Sequence, residues 1–189
     1  LMIQYLAEHH KIIYGGNGYA DEWVAEAERR GLPNLRSMVD AIPALVTEKS
    51  IRMFERFGVF SESELLSRAE IKYETYNKAL NIEALTMIDM VVKQIIPAVI
   101  GYTGTLSGIV QSMNAIGVNA TVQMEVLKDI TALLNEANGA LKILQGVTQE
   151  AVGIEDNKVR AHFYRNYVQP AMEALRRPID RLEMLVDKE

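Results

Sequence analysis

The chain has 189 residues, 49% hydrophobic and 24% charged, enough to bury one substantial core and too apolar for wholesale disorder. Its net charge of -5 is spread in mixed signs with no basic stripe, which argues against nucleic-acid binding. It contains no cysteine, so disulfides and thiol chemistry are excluded and a reducing, cytoplasmic setting fits.

The opening, Leu1 to His10, is amphipathic and has neither a cap residue nor a basic signal region. It reads as a helix entered partway, so the chain is expected to continue upstream. Gly15-Gly16-Asn17-Gly18 is a turn cluster. A phosphate cradle would need Gly-Lys-Ser/Thr entering a helix, and Tyr19-Ala20-Asp21 follows instead, with an acidic start that repels phosphate. Asp21 is expected to cap a helix that Gly31 ends, with Pro33 just beyond. Ser37 with Asp40 resembles a capping box, and Thr47 starts a further short helix closed by Gly58. Residues 1–60 therefore predict three or four short helices with little or no sheet.

The texture changes at Ser61. Ser61-Glu62-Ser63-Glu64 is a capping box, and the helix it opens is predicted to run to about Ile116. Within it Leu85, Ile88, Val92, Ile95, Val99, Tyr102, Leu106, Ile109, Met113 and Ile116 alternate three and four apart, a heptad seam. After a turn at Gly117-Val118-Asn119, a second seam runs Val126, Ile130, Leu133, Ala137, Ala140, Leu144, Val147, Ala151. Gly153 breaks it, and a third runs Val168, Met172, Leu175, Ile179, Leu182, Val186. At 1.5 Å per residue, residues 120–151, 155–188 and 85–116 each span about 50 Å. The later helices can therefore fold back along 85–116. The predicted fold is all-α: a short-helix segment over 1–60, then a long helix and antiparallel three-helix bundle over 61–189. Leu66, Ala69, Tyr73, Tyr76 and Leu80 are left to pack on the short elements. Pro97 predicts a kink, and Pro170 a break between 155–169 and the rest.

Little in the chain points to chemistry. His9 and His10 are adjacent, so their side chains diverge by about 100° on a helix, and His162 is distant, so no metal site is expected. Glu48 with Arg52, Glu74 with Lys78 and Asp89 with Lys93 fit solvent-facing pairs one turn apart. Ser107 and Ser112 have no local histidine base and no nucleophile elbow. Tyr73, Tyr76 and Tyr102 fall on packing positions, and Trp23 reads as an anchor for its short helix. No catalytic, cofactor-binding or metal-binding residue is assigned.

The one unusual surface lies between Gln94 and Met124, thirty-one residues without a charged side chain. A membrane span needs about twenty mostly apolar residues. Here Gln94, Pro97, Gly101, Thr103 and Gly104 interrupt the run and it ends in a polar turn at Asn119, so no membrane partner is expected. A solvated bundle tip would carry lysine or glutamate on its outer faces. Small residues at 101, 104, 107 and 108 would admit another helix, and Ile116, Val118, Val122 and Met124 are the candidate interface. The bland alternative is that a third helix of the same chain covers the run.

Two ordered stretches carry a family resemblance. Asn17-Gly18-Tyr19-Ala20-Asp21-Glu22-Trp23, continued by Ala27-Glu28-Arg29-Arg30-Gly31-Leu32-Pro33-Asn34, and then Asn81 to Met90, resemble the carboxyl-terminal region of type III glutamine synthetases, the large bacterial form of that ligase. The likeness covers Leu1 to Pro97 well and the remainder in general character. It implies a parent enzyme that joins ammonia to glutamate using ATP and divalent metal, Mg or Mn, as a large ring-shaped homo-oligomer in the cytoplasm. The family's metal ligands and phosphate-binding arginines would lie upstream, so none is transferred here. The first sixty residues are similar to the last helices of the catalytic domain, which becomes an expected partner. The bundle resembles the carboxyl extension of the type III group. Two readings follow: a structural, non-catalytic part of a glutamine synthetase, or a free-standing helical interaction module. A reading frame continuing upstream of Leu1, against a start at Met2, separates them.

Overall fold

The computed structural model describes residues 2–187, and among them every regular element is helical. Four short helices come first: α1 (Met2–Glu8), α2 (Asp21–Arg29), α3 (Met38–Leu45) and α4 (Glu48–Arg56). Three long ones follow: α5 (Glu62–Ala115), α6 (Thr121–Val152) and α7 (residues 157–183). The order predicted from the sequence, short helices and then a long-helix bundle, is the one that forms.

The caps explain most boundaries. The Ser61 hydroxyl accepts from the Glu64 backbone N–H while the Glu64 carboxylate accepts from the Ser61 N–H at 2.8 Å, a reciprocal box that opens α5. Ser37 and Thr47 accept from the N–H groups of Asp40 and Ser50 and open α3 and α4. Gly31, Gly58 and Gly117 take φ of 71°, 63° and 76° just past α2, α4 and α5, the left-handed conformation that only glycine adopts without strain. One cap differs from expectation. Ala20 occupies the cap of α2, without a side-chain bond, and Asp21 is the first helical residue. There, with Glu22, it faces the positive end of the helix dipole.

Arg30 ties α2 to the preceding loop. The Glu26 carboxylate accepts from Arg29 at 2.7 Å and from Arg30 at 2.5 Å, and Arg30 also donates to the Ile13 carbonyl at 2.8 Å. Trp23 stacks on Tyr14 with ring centres 4.2 Å apart, so it anchors α2 to this loop. The bonds from Arg29 and then Arg30 hold the Glu26 carboxyl down, from 4.5 to about 2. A depressed carboxylate stabilises the folded state above its unfolded pKa and loses that contribution as pH falls through the folded value. The clamp should therefore be fully made above about pH 4.5 and open as the pH drops towards 2. A carbon-13 titration of Glu26 should show its midpoint near 2; a midpoint in the ordinary carboxylate range would refute the clamp.

The long helices build the main core. Ile130, Leu133, Ala137, Leu144 and Ala151 of α6, and Val168, Leu175, Ile179 and Leu182 of α7, are buried, as both later seams require. The first seam is corrected. Ala84, Val91 and Val110 are buried, whereas Leu85, Val92 and Ile109 are 51%, 43% and 43% exposed. Buried positions are seven apart from Ala84 to Val91, eight apart from Val91 to Val99, and seven apart again to Leu106. The extra residue sits in a π-turn, Val91–Ile95, where the Ile96 N–H reaches back five residues to the Val91 carbonyl. Pro97 explains it: proline has no N–H for the Lys93 carbonyl and its ring would strike it, and a wider turn relieves both problems. The same device, Tyr164–Val168, precedes Pro170. The break predicted at Pro170 is therefore absent, and α7 runs on through it.

The third helix is also displaced from the expected register. Its first residue, Asn157, accepts from Asn77 through its carbonyl at 2.9 Å, and Tyr164 donates to Asn81 at 3.1 Å. It thus starts well before Leu85 and packs along the earlier half of the stretch that the lengths assigned to it. A second cluster, Val39, Ile42, Ala69, Tyr73 and Ala161, joins α3 to α5 and α7, with Arg165 paired to Asp40 at 2.8 Å across the same junction.

Candidate interface at the hairpin tip

The displacement of α7 decides what covers the charge-free run. Leu182, Glu183 and Val186 face Gln94, Ile95, Ala98 and Val99, and Arg181, Met184 and Leu185 face Asp129, Ala132 and Leu133. The third helix therefore runs out level with Val99 on α5 and Asp129 on α6. Beyond it the end of α5 and the start of α6 stand as a two-helix hairpin, about 24 Å long from Val99 to Ala115.

Inside this hairpin Leu106, Val110 and Ala120 are buried. Outside, Ile100, Ile109, Ile116, Val118 and Val122 are exposed, Ile116 by 75% and Val122 by 67%. Of the four residues assigned to the interface, Ile116, Val118 and Val122 lie on the surface and Met124 is half-buried. Ile100 and Ile109 join that surface. Spacing had placed Ile109 in the seam, whereas Leu106 and Val110, four apart, are the buried positions there.

Gly101, Gly104 and Gly108 are exposed on α5, and a Cβ built at any of them meets nothing within 4 Å. Each helical glycine costs about 0.5–1 kcal/mol relative to alanine. No described residue comes within 4 Å of the space they leave. The turn is held by Val118 N–H to the Met113 carbonyl at 3.0 Å and by Thr121 Oγ1 to Asn119 Oδ1 at 2.6 Å. Between Gln94 and Met124 the Tyr102 phenol is the one ionisable side chain, so association here would respond weakly to salt and pH.

By length and composition α5 passes for a membrane-crossing helix, and 17% of its apolar window is buried. The helix returns as α6, whose Glu125, Lys128 and Asp129 follow the turn directly. Elsewhere several titratable groups form surface pairs: Glu74 with Lys78 at 2.6 Å, Glu48 with Arg52, and Asp89 with Lys93, all one turn apart as expected. His10 meets the Ala7 carbonyl at 3.0 Å and His9 stacks on Tyr5, while His162 is half-buried on α7. Among the described residues no three His, Cys, Asp or Glu side chains converge.

A continuous helical strut ending in an uncharged hairpin defines a helical packing domain. Residues 1–114 match the family model for the glutamine synthetase C-terminal domain, and the chain belongs to that family. It is 37% identical over 183 residues to a glutamine synthetase of Butyrivibrio fibrisolvens, covering 96% of this chain and 26% of the relative. It is 31% identical over 195 residues to a type-3 glutamine synthetase of Dictyostelium discoideum, again covering 96% and 26%. A Bacteroides fragilis glutamine synthetase is 28% identical over 184 residues, covering 94% and 25%. The chain thus spans about a quarter of the length of the curated relatives it matches. The resemblance carried by Asn17–Trp23 and Asn81–Met90 is borne out, including the type III assignment. One type-3 relative is from Dictyostelium, so the form is not confined to bacteria.

Proposed function

We propose that this chain is the non-catalytic carboxyl-terminal part of a type III glutamine synthetase and that its hairpin tip is an assembly contact between copies. The parent reaction is the ATP-dependent ligation of ammonia to glutamate, with Mg or Mn held by residues outside this sequence, in the cytoplasm. One observation carries the assembly role: an uncharged two-helix tip projects past the third helix with exposed isoleucine and valine beside three glycines that face open space. Depletion of charge is what marks the core of an interface. The short helices fit a second partner, the catalytic domain. Every described residue of α1 is exposed, Met2 by 77% and Ile3 by 85%, an apolar surface awaiting cover.

The test is a doubly charged tip. Val118→Asp with Val122→Lys places two charges on exposed positions, so helicity by circular dichroism should be unchanged. Assembly size, measured by sizing with light scattering, should fall. A variant that assembles like the parent would remove the tip from the interface.

A further inference from the structure

A groove on the opposite side of the bundle goes beyond the assembly role. The second long helix, α6, packs along one side of α5 and α7, and the other side of that pair is open. Two adjoining cavities of about 510 and 530 Å³ lie there and share Ile95 and Glu183. Together they follow α5 from Ile82 to Val99, about 25 Å at 1.5 Å per residue, the length of a helix of some seventeen residues.

The floor is apolar and adaptable. Met87, Val91 and Ile95 line one wall, and Met172, Ile179 and Leu182 the other. Methionine reshapes itself to differing partners more readily than branched side chains do. The rim is acidic. Glu83, Asp180 and Glu183 line it against one cation, Arg176, which already donates to Asp180 at 3.3 Å. Glu83 and Glu183 have no ion-pair partner among the described residues, and both are exposed. A second copy presenting the same face would set carboxylates against carboxylates, which disfavours self-pairing.

We propose that this groove is a docking site for a basic amphipathic helix from another polypeptide. Its apolar residues, spaced three and four apart, would lie on the floor and complete a four-helix arrangement. Its flanking lysines or arginines would meet Glu83 and Glu183.

The probe is a fluorescein-labelled eighteen-residue helical peptide with leucines at that spacing and lysines on the flanks, read by anisotropy against the 189-residue chain. Its twin carries glutamate in place of lysine. The lysine peptide should bind, weakening with salt, and the twin should bind at least about tenfold more weakly. Glu83→Lys with Glu183→Lys should weaken the lysine peptide by about tenfold. Ala98→Trp fills an exposed part of the groove without changing charge and should do the same. If Ala98→Trp loses helicity, the double charge variant decides alone. No binding of the lysine peptide overturns the proposal. So does equal binding to the variants, which would mark a general attraction to an acidic protein. Self-association abolished by the groove variants would make a second copy the occupant and also overturn it. The tip variant addresses a separate surface, so either hypothesis can fail without the other.

Discussion

Leu175→Ala is expected to destabilise the chain by about 2–5 kcal/mol, the range for truncating a buried leucine. Leu175 is 0% exposed, in the same cluster as Val91, Ile130 and Leu144. Its neighbours are held by three separate helices, so the cavity left behind has little means of collapsing. For a chain of this size the melting temperature should fall by on the order of 10 °C. Leu133→Ala should behave similarly, since Leu133 is 5% exposed in the same core. Lys142→Ala, at an exposed position of α6, is the control and should change little. Thermal and urea unfolding followed by circular dichroism report all three. Equal melting of Leu175→Ala and Lys142→Ala would mean that the third helix does not share the core.

A second large effect is expected at the junction between the short helices and the bundle. Val39 is 0% exposed and packs in the cluster with Ile42, Ala69, Tyr73 and Ala161. An aspartate there would be buried without a partner, because Arg165 is already engaged by Asp40 at 2.8 Å. An uncompensated buried charge of this kind costs about 3–5 kcal/mol. Little else holds α3, so Val39→Asp should release the short helices while leaving the bundle folded. Limited proteolysis should then cut within residues 10–60 far faster than in the parent, with most helical signal surviving. A proteolytic pattern matching the parent would place the attachment elsewhere.

Helix limits were legible because they are set by local chemistry. The box at Ser61 and the left-handed glycine at Gly117 act within a few residues of themselves, so spacing along the chain suffices to find them. The second seam was legible for the same reason, since Ile130 to Ala151 keeps a regular repeat with no proline to disturb it, and the third keeps its buried repeat although Pro170 and Pro178 lie within it. The first seam was misread where the rule is not local. Choosing the larger side chain favoured Leu85 over Ala84, yet a small residue is buried where helices approach closely. Val92 shares the outward phase of Leu85, and the π-turn then brings Val99 and Leu106 back onto the expected positions; Pro97 gave warning of a disturbance without its form. The tip was visible as an uncharged run. Its exposure was not, because that depends on where α7 begins, and Asn77, Asn81 and Tyr164 set that register across some eighty residues of chain.

A helix of 54 residues without interruption, from Glu62 to Ala115, is about 80 Å long and acts mechanically as a lever. At its base it is gripped by α3, along its middle it is braced by α6 and α7, and past Val99 the described residue contacts come from α6 alone. A tilt of about 5° at the base would carry the far end through about 7 Å. Small reorientations of the short helices would therefore arrive at the tip as displacements larger than a side chain.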